Sequence, residues 1–487
     1  MNCQKSLSPY QDDSNTNPQY TYVEPFTKYP VIQRSFTSDL INNQLFDPLS
    51  ATGGNLTITD GIGSINITST IGSYYVLRSK QLIKYREGFP VVLTCSVKFD
   101  SNAVVNSLQV VGAGTASNDI YIGMIGSSFG CRVSKGGRHA IRTLTIATNC
   151  GNETITITLN GSPFVFAVTT SAILSFTAHK ISLGTTFTGY SVQHIGSTIV
   201  FSSSAVGSQT GTFSMSSTGT ATGTFSTDST GTALTTSNVL STSFNGNPSS
   251  IRSLNPFEWN TFQIEYYYSQ GNANFYVLDE DSNFKLIHSF RFKSSPNFSA
   301  SDMFLQRLVA SVGSTTALSM QTTDASVYIG GALQVINRPR YSVNRSSVLA
   351  GNIEEVVLCI QHRLVLNGIV CIQEILLNTL SISTDGTKAV LVKFILNPTT
   401  IGANTSGDYD VFSYVDQTYS QTLYDNIAVT YTGGTNIFQT YLDKVSTNQI
   451  DLTSLKLFLG RNDTLLVTAL STNASDILCS MTFVEDI

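Results

Sequence analysis

The sequence predicts an all-β protein made of several β-sandwich or jelly-roll units with little helix. Three observations lead to this prediction: apolar and polar residues alternate along many short segments, turn signals separate those segments, and no stretch keeps a helical period. Only 12% of the 487 residues are charged, about half of the roughly 25% that is usual in soluble proteins. Ser, Thr, Asn and Gly replace the charged residues, which suits strand surfaces better than exposed helix faces.

The strand pattern is clearest in the second hundred residues. Ile155, Ile157 and Leu159 alternate with threonines, and Asn160-Gly161 follows as a turn that tolerates positive φ. This arrangement predicts a hairpin. The apolar stretch 352–377 could form a helix, but its Val, Ile, Leu and Cys content favours buried strands.

Composition divides the chain into three predicted regions. Residues 1–30 are polar and predict an extended N-terminal arm, which is our candidate for an anchor. Residues 31–345 predict a lectin-like β-sandwich region with a Ser/Thr-rich insertion at about 202–250. Residues 346–487 predict a C-terminal jelly-roll.

The insertion contains a short duplication. GTFSMSSTGTA at 211–221 recurs as GTFSTDSTGTA at 223–233, a shift of 12 residues. Two short strands with turns would fit this shift, so a protruding hairpin and a disordered loop both remain open. Asp228 is the only charged residue in the stretch from 211 to 233.

Composition also excludes several classes of protein. The net charge of −5 and the absence of a basic run argue against a nucleic-acid partner. No segment offers about 18 uninterrupted apolar residues, so we expect no membrane span. The polar N-terminus lacks the apolar core of a signal peptide. The seven cysteines contain no CxxC pair, and we expect buried free thiols rather than disulfides.

Signals for catalysis or for metal binding are weak. His139 lies near Cys131 and could form a Cys/His pair, but the Gly136-Gly137 sequence favours a turn with basic flanks. His288 alternates with apolar residues and predicts a core histidine. Residues 279–283 begin with the acidic spacing of a calcium loop but lack its central Gly and its distal Glu, which favours a hairpin turn. We therefore expect no enzyme, no metal and no cofactor.

Aromatic groups provide candidate ligand contacts. Tyr266, Tyr267 and Tyr268 could stack on sugar rings, and so could Tyr74 and Tyr75. Because neighbouring strand residues point to opposite faces, we expect at least half of each group to lie in the core.

A series of segments resembles a β-domain that recurs in structural proteins of giant DNA viruses and some phages, and the end of the chain is similar to their knob-like terminal domains. The resemblance covers roughly residues 40–487. The matching segments are 85–88 (YREG), 97–100 (VKFD), 109–114 (QVVGAG), 119–123 (DIYIG), 128–130 (SFG), 136–137 (GG), 260–264 (NTFQI), 275–277 (FYV), 329–331 (IGG), 388–393 (KAVLVK), 433–434 (GG) and 463–467 (DTLLV), with His288. The chain closes with Phe483-Val-Glu485 where relatives would have Trp-Ile-Glu.

The resemblance implies a virion structural protein, either a surface fibre or spike or a minor capsid component that contributes to assembly or host attachment. Its implied partners are other copies of the chain, as a trimer formed through 346–487, and other virion proteins. A host-surface glycan is a further possible partner, and the implied location is the virion. The resemblance implies no catalytic residue in this chain. The alternative function is a glycan-binding, lectin-like module, and a less favoured one is a glycan-cleaving enzyme, which would need two carboxylates about 5–10 Å apart in a groove.

Overall fold

Strands dominate the described part of the chain. The structure is a computed structural model and describes residues 28–34, 46–83, 90–246, 254–267, 272–291, 303–311, 315–330, 339–402, 412–453, 455, 457–473 and 475–485. These residues form 37 strands and one α-helix. The all-β prediction is confirmed. Residues 1–27 of the predicted N-terminal arm lie outside the described residues.

The chain begins with strands of a large sandwich. They are β1 (Lys28–Arg34), β2 (Phe46–Ala51), β3 (Asn55–Thr59), β4 (Ile62–Ile67), β5 (Tyr74–Ile83), β6 (Val91–Lys98), β7 (Ser107–Gly114), β8 (Asp119–Ile125) and β9 (Ser128–Lys135).

An inserted unit then leaves the sandwich. It consists of β10 (Arg138–Thr148), β11 (Glu153–Leu159), β12 (Ser162–Val168), α1 (Leu174–Leu183), β13 (Tyr190–Ile195), β14 (Thr198–Val206), β15 (Ser214–Ser217) and β16 (Thr222–Thr232). Sheet C has the order β13-β14-β10-β16 and sheet D the order β12-β11-β15. Both sheets and α1 enclose a core of their own that contains Ile155, Ile157 and Phe201.

The chain returns to the sandwich through strands that pair with its earlier ones. They are β17 (Thr235–Leu240), β18 (Asn260–Tyr267), β19 (Asn272–Leu278), β20 (Phe284–Arg291), β21 (Met303–Ser311) and β22 (Leu318–Gly330). Sheet A has the order β20-β19-β18-β6-β22-β4-β3 with β1 beside β22, and sheet B the order β17-β9-β8-β7-β21-β5-β2. Because β17 pairs with β9, the unit from 138 to 232 is inserted between neighbouring strands at one edge of sheet B.

The core of this sandwich lies between sheets A and B. Phe99, Phe129 and Phe262 meet there with ring centroids about 6 Å apart. Alternation along each strand supplies the other buried side chains, as the patterns of β4 and β6 show.

The last strands form a second sandwich. They are β23 (Arg340–Ala350), β24 (Glu355–His362), β25 (Val365–Leu366), β26 (Ile369–Val370), β27 (Ile375–Thr384), β28 (Val390–Leu396), β29 (Thr400–Gly402), β30 (Ser413–Tyr414), β31 (Thr422–Asp425), β32 (Thr430–Thr432), β33 (Thr435–Leu442), β34 (Ser446–Asp451), β35 (Phe458–Leu459), β36 (Thr464–Ser471) and β37 (Ser475–Glu485). Sheet E has the order β23-β37-β27-β34 with β35 beside β27, and sheet F the order β30-β31-β24-β36-β28-β33. The stretch 352–377 therefore forms strands, as its composition predicted.

The two copies of the duplication lie in different sheets of the inserted unit. β15 in the first copy pairs with β11, and β16 in the second pairs with β10. Phe213 and Phe225 occupy equivalent positions in the two copies, and their ring centroids are 6.1 Å apart at the core. The copies therefore form opposite layers of one unit rather than a hairpin with each other.

Two further predictions concern cysteines and membranes. Six cysteines, at positions 95, 131, 150, 359, 371 and 479, are buried free thiols, which confirms the prediction for these positions. No helix in the described part of the chain combines the length and hydrophobicity of a membrane span.

Candidate functional site: a groove between the inserted unit and the C-terminal sandwich

The inserted unit docks on the C-terminal sandwich through β13 and β14. Ile195 is 5% exposed and packs with Cys359 and Leu466 of sheet F. A second apolar contact joins Val200 to Leu364. These contacts fix the relative position of the two units because they remove apolar surface on both sides from water.

The side chain of Gln193 connects the same two units by hydrogen bonds. Its Nε2 donates to Gln361 Oε1 at 3.0 Å and to the carbonyl of His362 at 3.1 Å. Its Oε1 accepts from the backbone N–H of Leu364 at 2.8 Å. One amide therefore supplies both donors and an acceptor to the backbone and side chains of the partner unit.

Beside this contact lies an open groove of about 560 Å³, which we call the seam groove. Five residues of the inserted unit form one wall: Thr143, Ile195, Thr198, Val200 and Asp228. Residues of the C-terminal sandwich form the other: Arg363, Val365, Asn367, Tyr414, Gln417 and Thr418. The groove thus combines an apolar floor with hydroxyl, amide and charged groups, the usual composition of a small-ligand site.

Asp228 supplies the only carboxylate among the described lining residues. It lies on β16 with an exposed side chain. Thr143 Oγ1 donates a hydrogen bond to Asp228 Oδ2 at 2.5 Å, which orients the carboxylate along the groove wall. An ionised carboxylate has about four acceptor positions, so most of them remain available to a ligand.

Arg363 shapes the opposite wall. Its side chain is 8% exposed, and its Cζ lies 4.5 Å from the centroid of the Tyr414 ring. Nη1 donates to the carbonyls of Gln417 at 2.9 Å and Ser420 at 3.3 Å. Burial lowers the pKa of Arg363 from its usual value, yet a guanidinium keeps its charge at neutral pH. Arg363 therefore holds the 417–420 turn and the tyrosine in place.

Asp416 and Asn367 stabilise the same turn. Asp416 Oδ1 accepts from the backbone N–H groups of Thr418 and Tyr419, at 2.8 and 2.9 Å. Asn367 Nδ2 donates to the carbonyl of Thr418 at 3.0 Å. The groove wall is consequently a preorganised loop rather than an isolated set of side chains.

The Asn367-Gly368 turn joins β25 and β26 and approaches the inserted unit closely. Both residues have positive φ, at 51° and 74°, which suits this two-residue hairpin. A Cβ at Gly368 would stand 3.1 Å from the carbonyl oxygen of Asp228. Glycine is therefore required here both for its backbone conformation and for the close approach to the backbone of β16.

The described lining of the seam groove contains groups that can bind a polar ligand. Glycoside hydrolysis needs two carboxyl groups at the scissile bond, whereas Asp228 stands alone among the described lining residues. No cluster of three potential metal ligands occurs in the described residues. The groove offers hydrogen-bond acceptors, amides and hydroxyls around an apolar floor.

Of the three tyrosines predicted as glycan contacts, only Tyr266 has a described side chain, and it does not line this groove. Tyr266 is 2% exposed and packs in the core between sheets A and B, where it has no free face for a sugar. Of Tyr267 the structure describes only the backbone in β18, and Tyr268 lies outside the described residues. Tyr75 is likewise buried, and Tyr74 is 38% exposed. Strand alternation explains the division of this last pair.

The other weak candidates have structural roles. His139 Nδ1 lies 2.6 Å from the carbonyl oxygen of Ser203 and is buried. His288 is 5% exposed, with its ring centroid 4.7 Å from that of Phe290. Residues 279–283 form the turn between β19 and β20, in which Asp279 Oδ1 accepts from the backbone N–H of Asn283 at 2.8 Å. The turn and core interpretations are confirmed.

The sequence alone does not indicate that Asp228, Arg363 and Tyr414 form one site. One signal was available, because Asp228 replaces a serine of the first copy, Ser216, and is the sole charge of the duplicated segment. The Asn367-Gly368 dipeptide was a second signal, for a tight hairpin. Neither signal indicates that the two segments meet.

Comparisons with known proteins add only distant likenesses. No protein-family model matches the chain, and no curated protein matches it. Among solved structures, a protein of unknown function from Shewanella oneidensis aligns at 10% identity over 63% of this chain and 88% of its own, with a TM-score of 0.28. Peanut lectin aligns at 6% identity over 62% and 99%, with a TM-score of 0.27. A legume lectin-like domain from Entamoeba histolytica aligns at 9% identity over 62% and 97%, with a TM-score of 0.26. Scores this low assign no ligand.

Proposed function

We propose that this protein is a non-enzymatic glycan-binding protein and that the seam groove is its ligand site. The observation that supports the proposal is the position of one exposed carboxylate, Asp228, opposite a fixed Tyr414 ring. Sugar rings present hydroxyl donors at their edges and C–H groups on their faces. The carboxylate accepts from the hydroxyls, and Ile195, Val200 and Val365 contact the C–H faces.

Amides and hydroxyls complete the match to a polyhydroxylated ligand. Asn367 and Gln417 offer both donors and acceptors, and Thr198 and Thr418 add hydroxyls. The volume of about 560 Å³ is within the range of small-ligand pockets. Since most of the wall is held by internal hydrogen bonds, little side-chain entropy is lost on binding.

A glycan array with the full chain tests this function. We expect retained glycans for the wild type and about tenfold or greater loss of affinity for Asp228→Asn, because a charged acceptor contributes more than a neutral one. Asp281→Asn, in an exposed turn of the first sandwich, is the matched control and should bind like the wild type. An array with no retained glycan, with and without calcium, would reject the proposal, and so would unchanged binding by Asp228→Asn.

A second candidate function, self-assembly, is supported by the outer face of sheet E. Strand pairing places three rows of side chains on this face, opposite the buried residues of the same strands. These three central rows are uncharged except for Asp451 at the edge, while Arg340 and Asp476 lie on the same face beyond their two ends. The rows consist of Ser342, Asn344, Thr379, Ser381, Ser383, Thr447, Gln449, Asp451, Leu478, Ser480 and Thr482. Two copies could approach through these central rows with little repulsion between like charges. A virion component, as the resemblance implies, would use such a face.

Light scattering tests the assembly proposal. We expect the full chain to scatter as an oligomer, as a trimer with about three times the 52.6 kDa of one chain. Leu478 is 47% exposed at this face, and Leu478→Lys should shift the population to monomers, because the lysines would place charge in the contact. Val105→Lys, at a 68% exposed loop position of the first sandwich, should leave the mass unchanged. A wild-type monomer at micromolar concentration would contradict self-assembly.

A further inference from the structure

Strand β13 lies at the edge of sheet C, where β14 is its only partner among the described strands. The two strands are joined by the two-residue turn Gly196-Ser197, and Gly196 has a φ of 56°, as the first central position of a type II′ turn requires. The pairing from Ile195 opposite Thr198 to Tyr190 opposite Ser203 is regular. The direction of each backbone group of β13 therefore follows from the turn.

In such a hairpin, hydrogen-bonded and non-hydrogen-bonded pairs alternate from the turn outward. Ile195 belongs to the first hydrogen-bonded pair, so Gln193 and Ser191 also bond to β14. The N–H and C=O of Val192 then point away from β14. Tyr190 is two residues from Val192, so its backbone N–H also points away from β14. That N–H donates to the carbonyl of Phe187 at 2.9 Å, which agrees with this assignment.

A cavity of about 580 Å³ runs along this edge, and we call it the edge-strand slot. Four consecutive residues of β13, 191–194, line one side, and five consecutive residues, 398–402, line the other. Neighbouring strand residues point to opposite faces. A cavity lined by all of them in succession must therefore border the edge of the strand rather than one of its faces.

The edge-strand slot differs chemically from the seam groove. Its described lining contains no Asp, Glu, Lys or Arg. Leu183, Ile401 and Phe412 provide apolar surface, and Gln361 and Asn462 provide amides. An occupant should therefore be uncharged and should offer both apolar side chains and backbone-like hydrogen-bonding groups.

We propose that the edge-strand slot binds an extended, uncharged peptide segment that adds a strand to β13. The outward-pointing backbone groups of Val192 would pair with the backbone of the peptide. Alternate peptide side chains would contact the apolar surface of Leu183, Ile401 and Phe412, as in other cases of strand addition. This site is separate from the seam groove and does not depend on glycan binding.

Proline substitution removes an outward N–H while leaving an edge strand in place. The chain itself contains a precedent in β12, an edge strand of sheet D that follows the Asn160-Gly161 turn. Pro163 lies opposite Thr158, one position beyond the hydrogen-bonded pair at the turn, where its missing N–H faces outward. The backbone of Val192 is in the corresponding kind of position in β13, so Val192→Pro should keep the hairpin. Because the Val192 side chain also packs against the core of the inserted unit, the far-UV circular dichroism spectrum of the variant is compared with that of the wild type.

The test uses the full chain and an array of hexapeptides composed of Ser, Thr, Asn, Gln, Val and Leu. We expect retained peptides to slow amide hydrogen exchange in residues 190–195. Val192→Pro should bind them about tenfold more weakly, since one or two backbone hydrogen bonds are lost. Val165→Pro is the matched control, because Val165 is an outward-facing, 63% exposed position of β12, and it should bind within about twofold of the wild type.

Two further controls complete the experiment: one modifies the peptide, and the other measures glycan binding by the Val192→Pro variant. Successive amides of an extended peptide point to opposite edges, and only one edge faces β13. N-methylation of the amides that face β13 should abolish binding, whereas N-methylation of the amides that face away should leave binding unchanged. An array with no retained peptide, protection outside 190–195, or equal binding by Val192→Pro and the wild type would overturn the proposal. Glycan retention should be the same in Val192→Pro and the wild type, so failure of either site is distinguishable from failure of the other.

Discussion

Replacing Glu485 with alanine is expected to lower the unfolding free energy of the C-terminal sandwich by roughly 3–5 kcal/mol. Glu485 is fully buried at the end of β37. Its carboxylate accepts from Ser420 Oγ at 2.6 Å, Thr422 Oγ1 at 2.5 Å and the backbone N–H of Gln421 at 2.9 Å. Alanine would leave these three buried donors without their acceptor, and each such loss costs about 1–3 kcal/mol.

Burial raises the pKa of Glu485, and the hydrogen bonds from Ser420 and Thr422 oppose this shift. The same bonds hold the start of β31 next to the 417–420 turn, whose carbonyls Arg363 binds. Loss of the carboxylate should therefore also loosen one wall of the seam groove. Glycan affinity should fall together with stability.

Denaturant unfolding of Glu485→Ala, Glu485→Gln and the wild type measures this effect. Glutamine keeps one acceptor oxygen and nearly the same volume, so its loss should be clearly smaller than that of alanine. A loss below about 1 kcal/mol for alanine would show that the donors find other partners.

Acid is expected to destabilise the inserted unit through His179. This residue of α1 is 9% exposed, and its ring centroid lies 4.8 Å from that of His194. Burial, followed by the nearby His194 and Lys180, lowers the pKa of His179 to about 4. The usual value is 6.5, so between these two values the unfolded chain binds a proton that the folded chain does not.

The sign of the effect follows from this difference. Above pH 6.5 His179 is neutral in both states and contributes nothing. As the pH falls from 6.5 to 4, the unfolded state gains stability relative to the folded state, by about 3 kcal/mol at pH 4. Burial also lowers the pKa of His139, His288 and His362, which adds in the same direction.

Comparison with His179→Gln isolates this contribution from the other titrating groups. The difference in unfolding free energy between wild type and variant should be constant above pH 6.5 and should shift by about 3 kcal/mol in favour of the variant by pH 4. Carboxyl groups with raised pKa, such as Asp119 and Asp425, act equally in both proteins and cancel. A difference that stays constant from pH 7.5 to 4 would contradict the assignment.

Local features of the fold were predictable from the sequence because their causes are local. Asn160-Gly161 adopts positive φ at both positions and joins β11 to β12 as the predicted hairpin. Alternation also predicted core positions within the tyrosine groups, and Tyr75 and Tyr266 are buried. Such features depend on neighbouring residues only.

The pairing of distant strands was not predictable in this way. β17 pairs with β9 only after the chain has completed a separate unit of about a hundred residues, with Leu240 opposite Gly130. The Ser/Thr-rich composition predicts an insertion at about 202–250, whereas the inserted unit runs from 138 to 232. No periodic signal marks where the inserted unit begins.

The seam groove was unpredictable for the same reason. Asp228 lies on the inserted unit, and Arg363 and Tyr414 lie on the C-terminal sandwich, more than a hundred residues further along. The docking of β13 on sheet F brings them together, and that docking depends on Gln193 and Ile195. No local sequence pattern marks any of these residues as functional, because the site arises from the packing of the two units.

Hydrogen–deuterium exchange with a glycan retained on the array tests the central claim most directly. The claim is that one ligand contacts both walls of the seam groove. It predicts slower amide exchange in residues 226–230 of the inserted unit and, in the same experiment, in residues 414–418 of the C-terminal sandwich. Protection of one segment alone, or of neither, would contradict it.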